Sequence, residues 1–110
     1  MNQDKTAEIK EAPSCNLAAM TPAQRKKYDA LKKRLRSSAK EIKELPNGYA
    51  LRYGADKSLV LAAAEFITLE SRCCHFYAFT LDVEASGGPI WLRITGPKEG
   101  KSFIKDALGI

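Results

Sequence analysis

The chain has 110 residues, 45% hydrophobic and 28% charged, with a formal net charge of +5. That is ordinary globular composition for one domain able to bury a core without disulfide staples. It excludes a membrane helix, since no run approaches the roughly 18 apolar residues one needs. Residues 1–14 are charged and lack the apolar core of a signal peptide. Three cysteines, two of them adjacent, do not make a secreted disulfide framework. The expectation is a cytoplasmic protein with free thiols.

The basic excess is local. Between Thr21 and Leu45 nine basic residues face three acidic ones, a balance of +6, and the rest of the chain sums to −1. Its meaning depends on what that segment is.

In chain order, residues 1–14 are polar, punctuated by Pro13, and read as a mobile tail, with a single domain over 15–110. A helix is predicted over 22–45. Thr21 serves as its N-cap, Pro22 suits the first position, and Gln24 completes a capping box. Tyr28, Leu31, Leu35, Ala39 and Ile42 form its apolar stripe. Pro46, Asn47 and Gly48 stop it. Its basic residues are mainly a solvated face, with nucleic acid or an acidic protein meeting Lys32, Lys33 and Arg36 as the alternative.

A short strand follows, in which Tyr49, Leu51 and Tyr53 alternate with Ala50 and Arg52. Asp56 is a cap for a second helix whose apolar positions are Leu59, Val60, Ala63, Phe66, Ile67 and Cys74, ending near His75. From Tyr77 the period becomes two. Tyr77, Phe79, Leu81 and Val83 point one way, residues 85–89 turn, and Ile90, Leu92 and Ile94 return along the partner strand. Residues 98–108 close the chain as a helix with Phe103, Ile104, Ala107 and Leu108 on its apolar side. The order α-β-α-β-β-α predicts a two-layer α+β fold, with a small sheet of about three strands covered by helices. The crossover helix leaves open a parallel pairing of the first strand with either hairpin strand.

The chemistry concentrates at Cys73, Cys74 and His75, where the helical pattern gives way to a strand. Thiolates are soft ligands and nucleophiles, although a cysteine also packs as a small buried hydrophobe. With Cys15 folded over the same spot, the set Cys15, Cys73, Cys74 and His75 matches a Cys₃His metal site. Spaced cysteine pairs of the usual zinc kind are absent, which moves the expectation from zinc toward softer ions such as Cu(I), Hg(II) or As(III). Sulfurs that share an ion should lie roughly 4 Å apart, given bonds of about 2.3 Å. Glu70 shares the helix side of the cysteines, as a second group around the metal or as a surface carboxylate paired with Arg72 or a lysine. Trp91, Arg93 and Tyr77 line a cleft or pack the sheet. A thiol enzyme using Cys73 or Cys74 in redox chemistry or metal–carbon bond cleavage is the competing reading.

Cys15 with Leu17-Ala18-Ala19-Met20-Thr21-Pro22, Leu45-Pro46-Asn47-Gly48-Tyr49, Glu70-Ser71-Arg72-Cys73-Cys74-His75-Phe76 and residues 91–97 together resemble a small bacterial domain family of poorly defined function. Its pattern is an early lone cysteine followed by Glu-x-x-Cys-Cys-x-Phe. The family is sometimes associated with heavy-metal response proteins, and the resemblance spans about Cys15 to Leu108. It implies that Cys15, Glu70, Cys73 and Cys74 carry the shared role. Position 75, where the family more often has proline, is histidine here.

Overall fold

Residues 17–110 are described by a computed structural model of the chain. Cys15 and the expected tail lie outside them. After a short 3₁₀ turn (Leu17–Ala19), the elements are α1 (Pro22–Ser38), β1 (Glu41–Leu45), β2 (Gly48–Tyr53), α2 (Ser58–Cys73), β3 (Ala78–Val83) and β4 (Ile90–Thr95), then a second 3₁₀ turn (Lys98–Gly100) running into α3 (Lys101–Leu108). The class is α+β as expected. The sheet, however, has four strands in the order β1-β2-β4-β3, and every neighbouring pair is antiparallel.

The start of α1 is written in its sequence. Thr21 Oγ1 accepts from the Gln24 N–H at 3.1 Å, Gln24 Oε1 accepts from the Thr21 N–H at 2.9 Å, and Pro22 opens the helix. Its end differs from the expected Leu45. The helix stops at Ser38, and Glu41–Leu45 turns back as β1 against β2, with Leu45 opposite Gly48 across a turn of Pro46 and Asn47. Pairing with β2 outweighs the weak helical preference of Ser37-Ser38 and recruits Ile42, which is exposed rather than part of a helical stripe. Lys40 and Lys43 therefore leave the basic helix.

Gly48 fixes how closely β2 can approach β4. A Cβ there would run into the Ile94 carbonyl oxygen. β2 and β3 each run antiparallel to β4, so they are parallel to one another with β4 inserted between them. The first strand thus pairs antiparallel with the second hairpin strand, and α2 spans a split β-α-β unit. The expected β3–β4 hairpin is present, with Val83 opposite Ile90 and positive φ at Ser86 (58°) and Gly87 (72°) in its turn.

One sheet face carries Leu51, Tyr53, Ile90, Leu92 and Ile94 into a core completed by Leu35, Phe66, Ile104 and Leu108. On α2 the buried stripe is Leu59, Ala62, Ala63, Phe66, Leu69, Glu70 and Cys73, while Val60 and Ile67 sit at its margin. The stripe is therefore rotated toward Glu70 and Cys73 relative to the expected one. Asp56 does cap this helix: its Oδ1 accepts from the Ser58 N–H at 2.9 Å. The other sheet face holds Trp91 and Arg93, with Arg93 paired to Asp82 and its guanidinium over the Trp91 ring. Among the described residues no helix is long and apolar enough to cross a membrane.

Candidate functional site

The last turn of α2 places Glu70, Cys73 and Cys74 at i, i+3 and i+4, hence on one side of the helix end. Cys74 is the C-cap, with φ −128° and ψ 64°, and its N–H donates to the Glu70 carbonyl at 2.8 Å. This break from helical geometry lets two adjacent side chains converge rather than diverge by the usual 100°. Their sulfurs lie 3.5 Å apart. One ligand atom from each of Glu70, Cys73 and Cys74 falls within 4.8 Å of the others.

The site is sealed. Exposure is 1% at Glu70, 1% at Cys73 and 0% at Cys74. A surface carboxylate paired with Arg72 or a lysine is therefore not what Glu70 is. Carboxylates are almost never fully buried unless partnered, yet among the described residues Glu70 Oε1 has no hydrogen-bond partner. Burial pushes the Glu70 carboxyl above its ordinary 4.5, opposed by hydrogen bonding from Tyr28 and the charge of Lys32. Burial, and then the charge of Glu70, push the Cys73 thiol up, with Arg25 pulling the other way.

The two sulfurs differ in state. Cys73 is a free buried cysteine, whereas Cys74 is disulfide-bonded. The expectation that all thiols stay free is corrected at Cys74.

Two tyrosines wall the site: Tyr28, expected only on an apolar helix stripe, and Tyr77, expected to line a cleft or pack the sheet. Tyr28 reaches it from α1, and Tyr77 from the segment between α2 and β3. Burial, followed by the Glu70 carboxylate, pushes both phenols far above their ordinary range. The Tyr77 hydroxyl is buried without a hydrogen-bond partner among the described residues. The signal available in sequence was the presence of a hydroxyl on each apolar stripe. On the outer side of Tyr28 a cleft of about 210 Å³ is lined by Arg25, Lys32, Phe103 and Asp106.

Other expected residues fall elsewhere. His75 is exposed in the turn after α2, its ring edge-on to Phe76, and stands outside the Glu70–Cys73–Cys74 group. Trp91 and Arg93 occupy the opposite sheet face. Lys32 lies over the Tyr28 ring at 5.4 Å, and the Arg36 side chain covers Gly109, while Lys33 is exposed. The three cations are thus divided between the cleft, the α3 terminus and solvent. Comparison with family models, with curated proteins and with solved structures finds no match.

Proposed function

We propose that Glu70, Cys73 and Cys74 capture a thiophilic metal or metalloid cation once both cysteines are reduced. The observation that carries this reading is a buried Glu70 carboxyl, one of its oxygens without a partner among the described residues, grouped with two buried sulfurs at the end of α2. A buried carboxyl oxygen with no donor is costly, and a cation bound by it and the thiolates offsets that cost. His75 takes no part, and Cys15 as a further ligand lies outside the described residues.

Geometry narrows the ion. Two sulfurs 3.5 Å apart, each about 2.3 Å from one ion, subtend an angle of about 100°. A linear two-coordinate ion would need about 4.6 Å between the sulfurs at the same bond length. The pair suits a bent three- or four-coordinate cation, such as Zn(II) or As(III), better than linear Cu(I) or Hg(II). This moves the expected preference back from the softest ions. The buried carboxylate favours the same direction, because oxygen is the hardest donor in the set.

Binding displaces protons from groups whose affinity for them is raised by burial, so the apparent affinity falls as pH falls. The test is titration of fully reduced protein with Zn(II), As(III), Cu(I) and Hg(II), with thiols counted by a colorimetric reagent after denaturation under conditions that retain the metal–thiolate bond. One equivalent of Zn(II) or As(III) should protect Cys73 and Cys74 together. Undiminished reactivity of both at excess metal overturns the reading.

A further inference from the structure

We propose that the outer edge of β3 is a dimer interface, at which a second copy of this chain lays its own β3 antiparallel across a twofold axis centred on Leu81. The proposal does not rest on metal capture.

The two edges of the sheet differ in chemistry. β1 carries Glu41, Lys43 and Glu44, and charged side chains of this kind keep an edge from pairing with another chain. β3 carries one charge, Asp82, and that carboxylate is held by Arg93 on the outer sheet face. Phe79, Leu81 and Val83 stand opposite Ile94, Leu92 and Ile90, so they extend the core face to the edge. There the cover runs out: Val83 is 54% exposed, and Phe79 and Leu81 are half-buried. α2 packs beside β3. Helical spacing puts its Val60, Ala64 and Ile67 on the flank away from Glu65 and Ser58, which meet Lys27 and Arg34 of α1. An apolar strip thus runs along both the strand and the helix beside it.

Backbone hydrogen bonding decides which residues of the edge can pair. The Glu84 N–H donates to the Pro89 carbonyl at 3.2 Å, in the same register that joins β3 to β4. The even-numbered residues of β3 therefore turn their N–H and C=O groups to β4, and Phe79, Leu81 and Val83 turn theirs outward. Among the described residues no strand receives them. A second copy centred on Leu81 sets Leu81 against Leu81 and Phe79 against Val83 at both ends of the joint. Each is a hydrogen-bonded pair whose apolar side chains share the core face. On the outer face Thr80 meets Asp82 of the second copy, so no like charges are opposed and the hydroxyl can donate to the carboxylate. Centring the axis on Thr80 instead would set Val83 against Tyr77, which precedes the strand. The Leu81 register makes one continuous sheet with both helix layers on the same side, and the α2 flanks approach each other over the joint. What remains at the ends are the charged β1 edges, so this isologous contact closes at two copies.

The test is sedimentation equilibrium of the full chain in reducing buffer, which excludes disulfide-linked species. The mass should rise with concentration from the 12.1 kDa of one chain toward twice that value. Amide hydrogen exchange, read by NMR at the two ends of that range, locates the contact. The N–H groups of Phe79, Leu81 and Val83 should gain protection as concentration rises, while those of Thr80 and Asp82, already bonded to β4, should exchange slowly throughout. Val83→Lys sets an ammonium against Phe79 at both ends of the joint and should weaken the dimer by about tenfold or more. The exchange measurement uses the unaltered chain, so it decides the matter even where that variant fails to fold. A mass that stays at one copy up to millimolar protein overturns the proposal. So does a dimer whose protection falls on β1 rather than β3, or one that a folded Val83→Lys protein forms equally well.

Discussion

Tyr28 of α1 stacks on Phe66 of α2 with ring centroids 5.8 Å apart and planes 9° from parallel. This contact joins the two helices one turn before Glu70, so the packing that closes the core also holds Tyr28 over the carboxyl. Lys27 bridging to Glu65 at 2.5 Å and Arg34 donating to Ser58 Oγ at 2.7 Å brace the same interface from outside. Exposed pairs of this kind contribute little, and the buried rings carry the interface.

Phe66 is fully buried. Phe66→Ala removes the stacking partner and leaves a cavity, and it should cost about 3–5 kcal/mol in urea unfolding. A loss under about 1 kcal/mol would mean that the helices repack without it.

Tyr28→Phe keeps the ring and deletes the hydroxyl. That hydroxyl lowers the proton affinity of Glu70, so its loss should move Glu70 titration to still higher pH. The carboxyl carbon chemical shift, followed by NMR through a pH series, checks this. An unchanged midpoint would remove Tyr28 from the site.

Stability should depend on pH through Glu70. Its folded pKa is raised above the unfolded value, near 4.5, so the folded state holds the proton more tightly. That contribution is complete below pH 4.5 and is lost as pH rises through the folded pKa of the group. Wild type should therefore lose stability across that window, and Glu70→Gln should flatten the loss. Denaturant midpoints of both proteins at matched pH give the comparison.

Gly48→Ala should destabilise the sheet by ~2 kcal/mol or more, because the added methyl meets backbone that cannot swing aside. Gly54→Ala is the control: the nearest atom to its Cβ would be the flexible Lys40 side chain at 3.6 Å. Equal effects at the two glycines would contradict the close approach of β2 to β4.

The elements that sequence conveyed were those with an unambiguous local code. The capping box at Thr21 and Gln24 and the change of period after Tyr77 each specify one structure. Ile42 was ambiguous, since it continues a helical stripe from Leu35 and also alternates within Glu41–Leu45. Pairing with β2 decides between them, and that contact is not local. Pro46-Asn47 reads equally as a helix stop and as a hairpin turn. The cysteine pair was legible from residue type alone, but the burial of Glu70 was not. A charged residue on a helix reads as solvent-facing, and only the arrival of Tyr28 and Tyr77 from distant segments encloses it. His75 is exposed and outside the Glu70–Cys73–Cys74 group, because adjacency in sequence does not keep side chains together through the turn that follows Cys74.

X-ray absorption on fully reduced protein loaded with one equivalent of Zn(II) tests the central claim most directly. The account predicts an ion bonded to two sulfurs near 2.3 Å and to oxygen in the remaining positions, with the oxygen shell altered in Glu70→Gln. An ion with no sulfur neighbours, or a spectrum identical to that of Cys73→Ser, would contradict it.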